Sequence, residues 1–153
     1  MLARLADEAP GIGDPHAALY PHLNRGIAAV AIGRLDLARM ILLDCVHVAR
    51  ELGDSTTLAE SGTATATLLA LEGDERAALR LYRRSSEQLG TRSAFYSLMP
   101  FRRDVLEPLD ERFRNGNGNA VDVPLLGGDS LASEIIAALG PDERLETRSL
   151  RRS

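Results

Sequence analysis

The sequence contains no lysine and no tryptophan, a single cysteine, and only 4% aromatic residues. Each absence removes a class of chemistry. Without lysine there is no Schiff-base nucleophile and no phosphate-binding Lys of a P-loop. Cys45, being alone, cannot form an intramolecular disulfide, and a reducing cytosol is the expected setting. The longest apolar run, Ile27 to Ile32, is far too short to span a bilayer. The segment Met1 to Glu8 carries two acids and does not read as a signal peptide, so a cytoplasmic, non-membrane protein is expected. All 18 basic residues are Arg, a compositional bias, and the formal net charge of −4 argues against general nucleic-acid binding.

What is present points one way. Hydrophobic residues make up 44% and charged residues 26% of 153 residues, an ordinary balance for a soluble globular chain. A chain of this size buries roughly 70% of the surface its unfolded form exposes. With so few aromatics the core must come from Leu, Ala, Ile and Val. Ala and Leu favour helix, and long β-branched runs are missing. An all-α protein is expected.

The punctuation of the chain divides it into helices. Residues 1–13 read as a tail or short helix ending in the breakers Pro10 to Gly13. Asp14 and Pro15 suit a cap and first turn, and that helix should run to about Ile32 before Gly33. Ala38, Ile41, Leu42, Cys45, Ala49 and Leu52 follow the spacing of one helix face, predicting a helix from Leu35 to Leu52 that ends at Gly53. A third helix is predicted over 55–71, marked by Leu58, Gly62, Ala66 and Leu69. A fourth spans 75–89, with Ala78, Leu81, Tyr82 and Ser85 inward. Joined by turns of two to four residues, neighbours must lie antiparallel. Beyond Gly90 a short helix is predicted near Ser93–Met99. Phe101, Val105, Leu109 and Phe113 then recur every four residues, and Pro108 should kink that run. Residues 115–129 read as a flexible linker, 130–140 as a short helix and 141–153 as a disordered tail.

The chain also repeats itself. Gly33-Arg-Leu-Asp-Leu-Ala38 aligns with Gly73-Asp-Glu-Arg-Ala-Ala78 at an offset of 40, and at that offset Gly26 matches Ala66, Leu42 matches Tyr82 and Cys45 matches Ser85. Small residues where helices cross, with a large residue between pairs, resemble the tetratricopeptide repeat. Leu23-Asn-Arg-Gly26, Gly33 to Ala38 and Ala49 to Asp54 are similar to the longer repeats of ATPase-type bacterial regulators of the LuxR and MalT kind. The resemblance covers about residues 14–114 well and 115–140 loosely, and implies helix-turn-helix pairs stacked as a tetratricopeptide-like superhelix. No Gly-x-x-x-x-Gly-Lys loop and no recognition helix accompany it, so neither ATPase activity nor DNA binding carries over.

On that register the first helix of each pair lines a concave surface, which would present Tyr20, Leu23, Asn24, Ile27, Glu60, Thr63 and Thr67 to a protein or peptide. A short array also invites self-association through an apolar end. The expected role is therefore a non-catalytic interaction module or regulatory arm, with no cofactor and no metal. Other features carry weaker chemistry. Leu126-Gly-Gly-Asp-Ser-Leu131 resembles the phosphopantetheine attachment site of carrier proteins, making modification at Ser130 the alternative; otherwise Ser130 simply caps a helix. His16, His22 and His47 lack metal-ligand spacing. Cys45 lies on a buried stripe and reads as a core thiol. Arg103–Glu107 and Asp110–Arg114 read as surface ion pairs at i, i+4. Arg76, Arg80, Arg83 and Arg84 form one basic helical stripe, read as a solvated outer face.

Overall fold

The computed structural model describes residues 15–90, 98–116 and 128–140. Helices α1 (Pro15–Ala31), α2 (Leu35–Leu52), α3 (Ser55–Leu71) and α4 (Glu75–Leu89) come first. There follow α5 (Met99–Phe101), a π-helical turn (Arg102–Leu106), α6 (Glu107–Asn115) and α7 (Gly128–Leu139). The fold is all-α, with no strand among the described residues. The expectations for residues 1–13, the start of the 93–99 helix, most of the 115–129 linker and the 141–153 tail lie outside the described residues.

The first three turns explain why the helix limits were predictable. Gly33, Gly53 and Gly73 adopt φ of +79°, +67° and +92°, a region that side chains with a Cβ rarely enter. Each glycine N–H donates three residues back, to Val30, Arg50 and Ala70 O at 3.0, 3.2 and 3.1 Å. Each following residue donates five back, from Arg34, Asp54 and Asp74 to Ala29, Ala49 and Leu69 O, all at 2.9 Å. This is one helix-ending motif used three times at steps of twenty residues, a finer period than the 40-residue repeat. The residue after each glycine is also the cap of the next helix. Asp54 accepts from Thr57 N at 3.0 Å and Asp74 from Ala77 N at 3.4 Å, whereas exposed Arg34 makes no side-chain cap bond. Arg34→Asp should therefore stabilise the protein by about 1 kcal/mol, read as a midpoint a few degrees higher in a thermal melt.

Packing places α3 at the centre. It touches α1, α2, α4, α7 and the π-turn, and every residue from Thr57 to Leu69 is buried. Helices α2 and α4 flank it, and each has a broader buried face than a single stripe. Gly26 closes the α1–α2 crossing as expected: a Cβ there would lie 3.1 Å from both Ile41 and Leu42. Gly62 does the same for α3 and α4, where a Cβ would overlap Ser85 Oγ and lie 3.4 Å from Ile135 of α7.

Two expectations change. Pro108 does not simply kink a helix. It sits at the start of α6, and the chain widens into the π-turn just before it. A wider turn relieves the clash that a proline ring makes with the carbonyl four residues back. The extra residue shifts the buried face, so Leu106 is fully buried and Val105, expected inward, is only half-buried. The helix expected at 130–140 forms, running from Gly128 to Leu139. It is α7, docked across α2, α3 and α4 with Leu131, Ala132, Ile135 and Leu139 at 2% exposure or less. Arg39 fastens its end, donating to Leu139 O at 2.6 Å and Ala138 O at 3.3 Å while pairing with Glu72 at 2.5 Å.

Candidate functional site

The seven residues expected to line a concave surface do not form one. Tyr20, at 39% exposure, and Asn24 lie on the outer side of α1. Leu23 and Ile27, on the same helix, are buried against its neighbours. Glu60, Thr63 and Thr67 are at most 2% exposed inside α3. The threonine hydroxyls expected to meet a peptide are used by the helix itself: Thr63 donates to Ala59 O and Thr67 to Thr63 O, each at 3.1 Å. Thr65 does the same with Ser61 O at 2.8 Å. Such back-bonding lets hydroxyls be buried without a partner from outside. The correction has a visible signal in the sequence. Between Ser55 and Leu71 the only charged residue is Glu60, the pattern of a helix covered on all sides.

Large apolar side chains are exposed at several places among the described residues: Tyr20, Ile32, Leu37, Met40, Leu71 and Met99. Ile32 and Leu71, at 70% and 52% exposure, adjoin the Gly33 and Gly73 turns. Beside Leu71 runs a groove of about 390 Å³, lined by Ala70, Leu71, Val105, Pro108 and Leu109, with Glu75, Asp104 and Arg112 also on its walls. Arg112 pairs with Glu75, joining α6 to the start of α4. The π-turn builds the groove's far side, because the widened turn carries Asp104 and Val105.

The basic stripe on α4 is not a uniform outer face. Arg76 and Arg80 are exposed, but Arg83 pairs with Asp110 of α6 at 2.8 Å. Arg84 is 5% exposed and pairs with Glu134 of α7. Burial pushes the Arg84 guanidinium below its ordinary pKa; Glu87 opposes that shift and Arg80 adds to it. Asp110 also holds Arg114 at 3.1 Å, the expected i, i+4 pair, while Arg103 pairs with its neighbour Asp104 and not with Glu107. The Asp104 carboxyl sits below its usual pKa, chiefly through the Arg103 hydrogen bond.

Among the described residues no group of three or more His, Cys, Asp or Glu side chains could hold a metal ion. His22 and Asp44, both buried, face each other across α1 and α2 with Nε2 and Oδ2 3.6 Å apart, and neither ring nitrogen makes a hydrogen bond. Cys45 is buried, and burial, reinforced by Asp44, raises its thiol pKa, so the sulfur stays protonated and shielded. Ser130 lies in the first turn of α7. No helix of the described residues is long and apolar enough to cross a membrane. No family model, no curated protein and no solved structure matches the chain.

Proposed function

We propose that the chain is a tetratricopeptide-like interaction module that engages a protein or peptide partner and carries out no chemistry itself. The observation that carries this reading is the groove beside Leu71, whose lining combines Ala70, Leu71, Val105, Pro108 and Leu109 with the charged Glu75, Asp104 and Arg112. An apolar centre bordered by charge is the usual anatomy of a protein-binding patch. The thrice-used helix-ending turn supports the repeat character. The partner surface proposed differs from that of a concave repeat array, because α3, which would line the concavity, is covered. An extended or helical segment with two or three apolar side chains would seat them on Leu71, Val105 and Leu109. Its polar groups would meet Glu75, Asp104 and Arg112.

Leu71→Asp tests the groove directly. Half its surface is already exposed, so the variant should melt close to wild type. A photo-crosslinking residue at Val105 would first identify the partner in the source cell. Affinity for that partner should then fall by about ten-fold or more in the Leu71→Asp protein. Should Tyr20→Ala with Asn24→Ala abolish capture while Leu71→Asp leaves it intact, the working surface is the outer side of α1 and the groove reading fails.

A further inference from the structure

The bed of α7 has properties that an ordinary core contact lacks. The first four helices are joined by single capping glycine motifs, whereas eleven residues, 117–127, separate Gly116 from α7. Fully extended, eleven residues reach roughly 36–40 Å, more than enough to carry α7 to a neighbouring molecule. The seat is polar at several points. Arg84, nearly enclosed within α4, finds its counter-charge in Glu134 of α7. Ser85 Oγ, packed at Gly62 where Ile135 also arrives, is buried and makes no hydrogen bond. Arg39 waits at the far end to cap two carbonyls. The enclosed arginine takes its counter-charge from α7, so the seat selects its helix by charge as well as by apolar fit.

We infer that the bed formed by α2, α3 and α4 is an exchangeable helix-binding site whose ligand in trans is the α7 of a second copy of this chain. The complementarity is already present. An incoming α7 offers Leu131, Ala132, Ile135 and Leu139 on one face, Glu134 for Arg84, and free terminal carbonyls for Arg39. Reciprocal exchange gives a closed two-fold dimer in which every contact of the monomer is kept. The inference does not depend on the groove beside Leu71, which lies outside this bed.

Charge reversal separates exchange from a fixed core helix. In full-length R84E and in full-length E134R, like charges face each other within each chain, and each protein alone should be a loosened monomer. Mixed one to one, every seat can receive an oppositely charged helix from the other chain. Sedimentation velocity should then show a heterodimer, with thermal stability returning towards that of the wild type. The double variant R84E/E134R should be monomeric and stable alone, because its pair is restored within the chain. A labelled peptide of residues 128–140 should bind full-length E134R about ten-fold or more tightly than wild type, whose own tethered helix competes at high effective concentration. If a single variant is unfolded, regain of helix on adding the complementary chain supports exchange. A mixture that stays two monomers, or two unfolded chains, overturns it.

Discussion

Ile135→Asp should lower unfolding stability by about 4 kcal/mol, since it removes a fully buried side chain and places a carboxylate in its stead. Ile135 packs where α7 meets Gly62, with no cation shown beside it, and Arg84 is already committed to Glu134. Urea denaturation followed by circular dichroism would show the midpoint fall. The whole transition should move, and not a separate early phase alone, because α7 covers the central helix. Ser133→Asp, on the same helix but exposed, is the control and should leave the midpoint nearly unchanged. A wild-type midpoint for Ile135→Asp would mean that α7 contributes nothing to the core.

Gly62→Leu is the second large effect, at about 3 kcal/mol, and its cause is excess volume where the other is charge. A bare Cβ at this position overlaps Ser85 Oγ, approaches Ser85 Cβ to 3.3 Å and reaches Ile135 at 3.4 Å. Ser85 can rotate its hydroxyl away from an alanine, so Gly62→Ala should lose much less. A leucine would have to push α4 and α7 apart together. Thermal melts of the pair, with Gly26→Ala as a comparison at the α1–α2 crossing, would rank the two crossings. Equal melting for Gly62→Leu and wild type would show that the three helices do not meet there.

The helices were legible because their limits are local. Gly33, Gly53 and Gly73 each end a helix, the residue after each begins the next, and no distant contact is needed to read that. The Gly26 crossing and the buried Cys45 were legible for the same reason, as small residues on a regular stripe. The exposed face of each helix was not, since exposure depends on what arrives later in the chain. Glu60, Thr63 and Thr67 look like a hydrophilic face until the elements packed around α3 are placed. Arg84 reads as one of four surface arginines, and only the docking of Glu134, fifty residues on, encloses it. The π-turn likewise follows from Pro108 needing relief in a particular packed setting, and a period of four in the sequence cannot register an added residue.

The central position of α3 bears on how the chain is made. Synthesis runs from the N-terminus, so α3 leaves the ribosome long before the helix that completes its cover. Roughly seventy residues lie between Leu71 and Leu139, and at common elongation rates these take on the order of 3–14 s to add. Throughout that interval one side of α3 faces water. A helix of leucines in that place would be a sticky surface on every nascent chain. Thr63 and Thr67, one turn apart, and Thr65 on the opposite side hold their hydroxyls against their own backbone, so the polar groups of α3 need no outside partner while its cover is still incomplete.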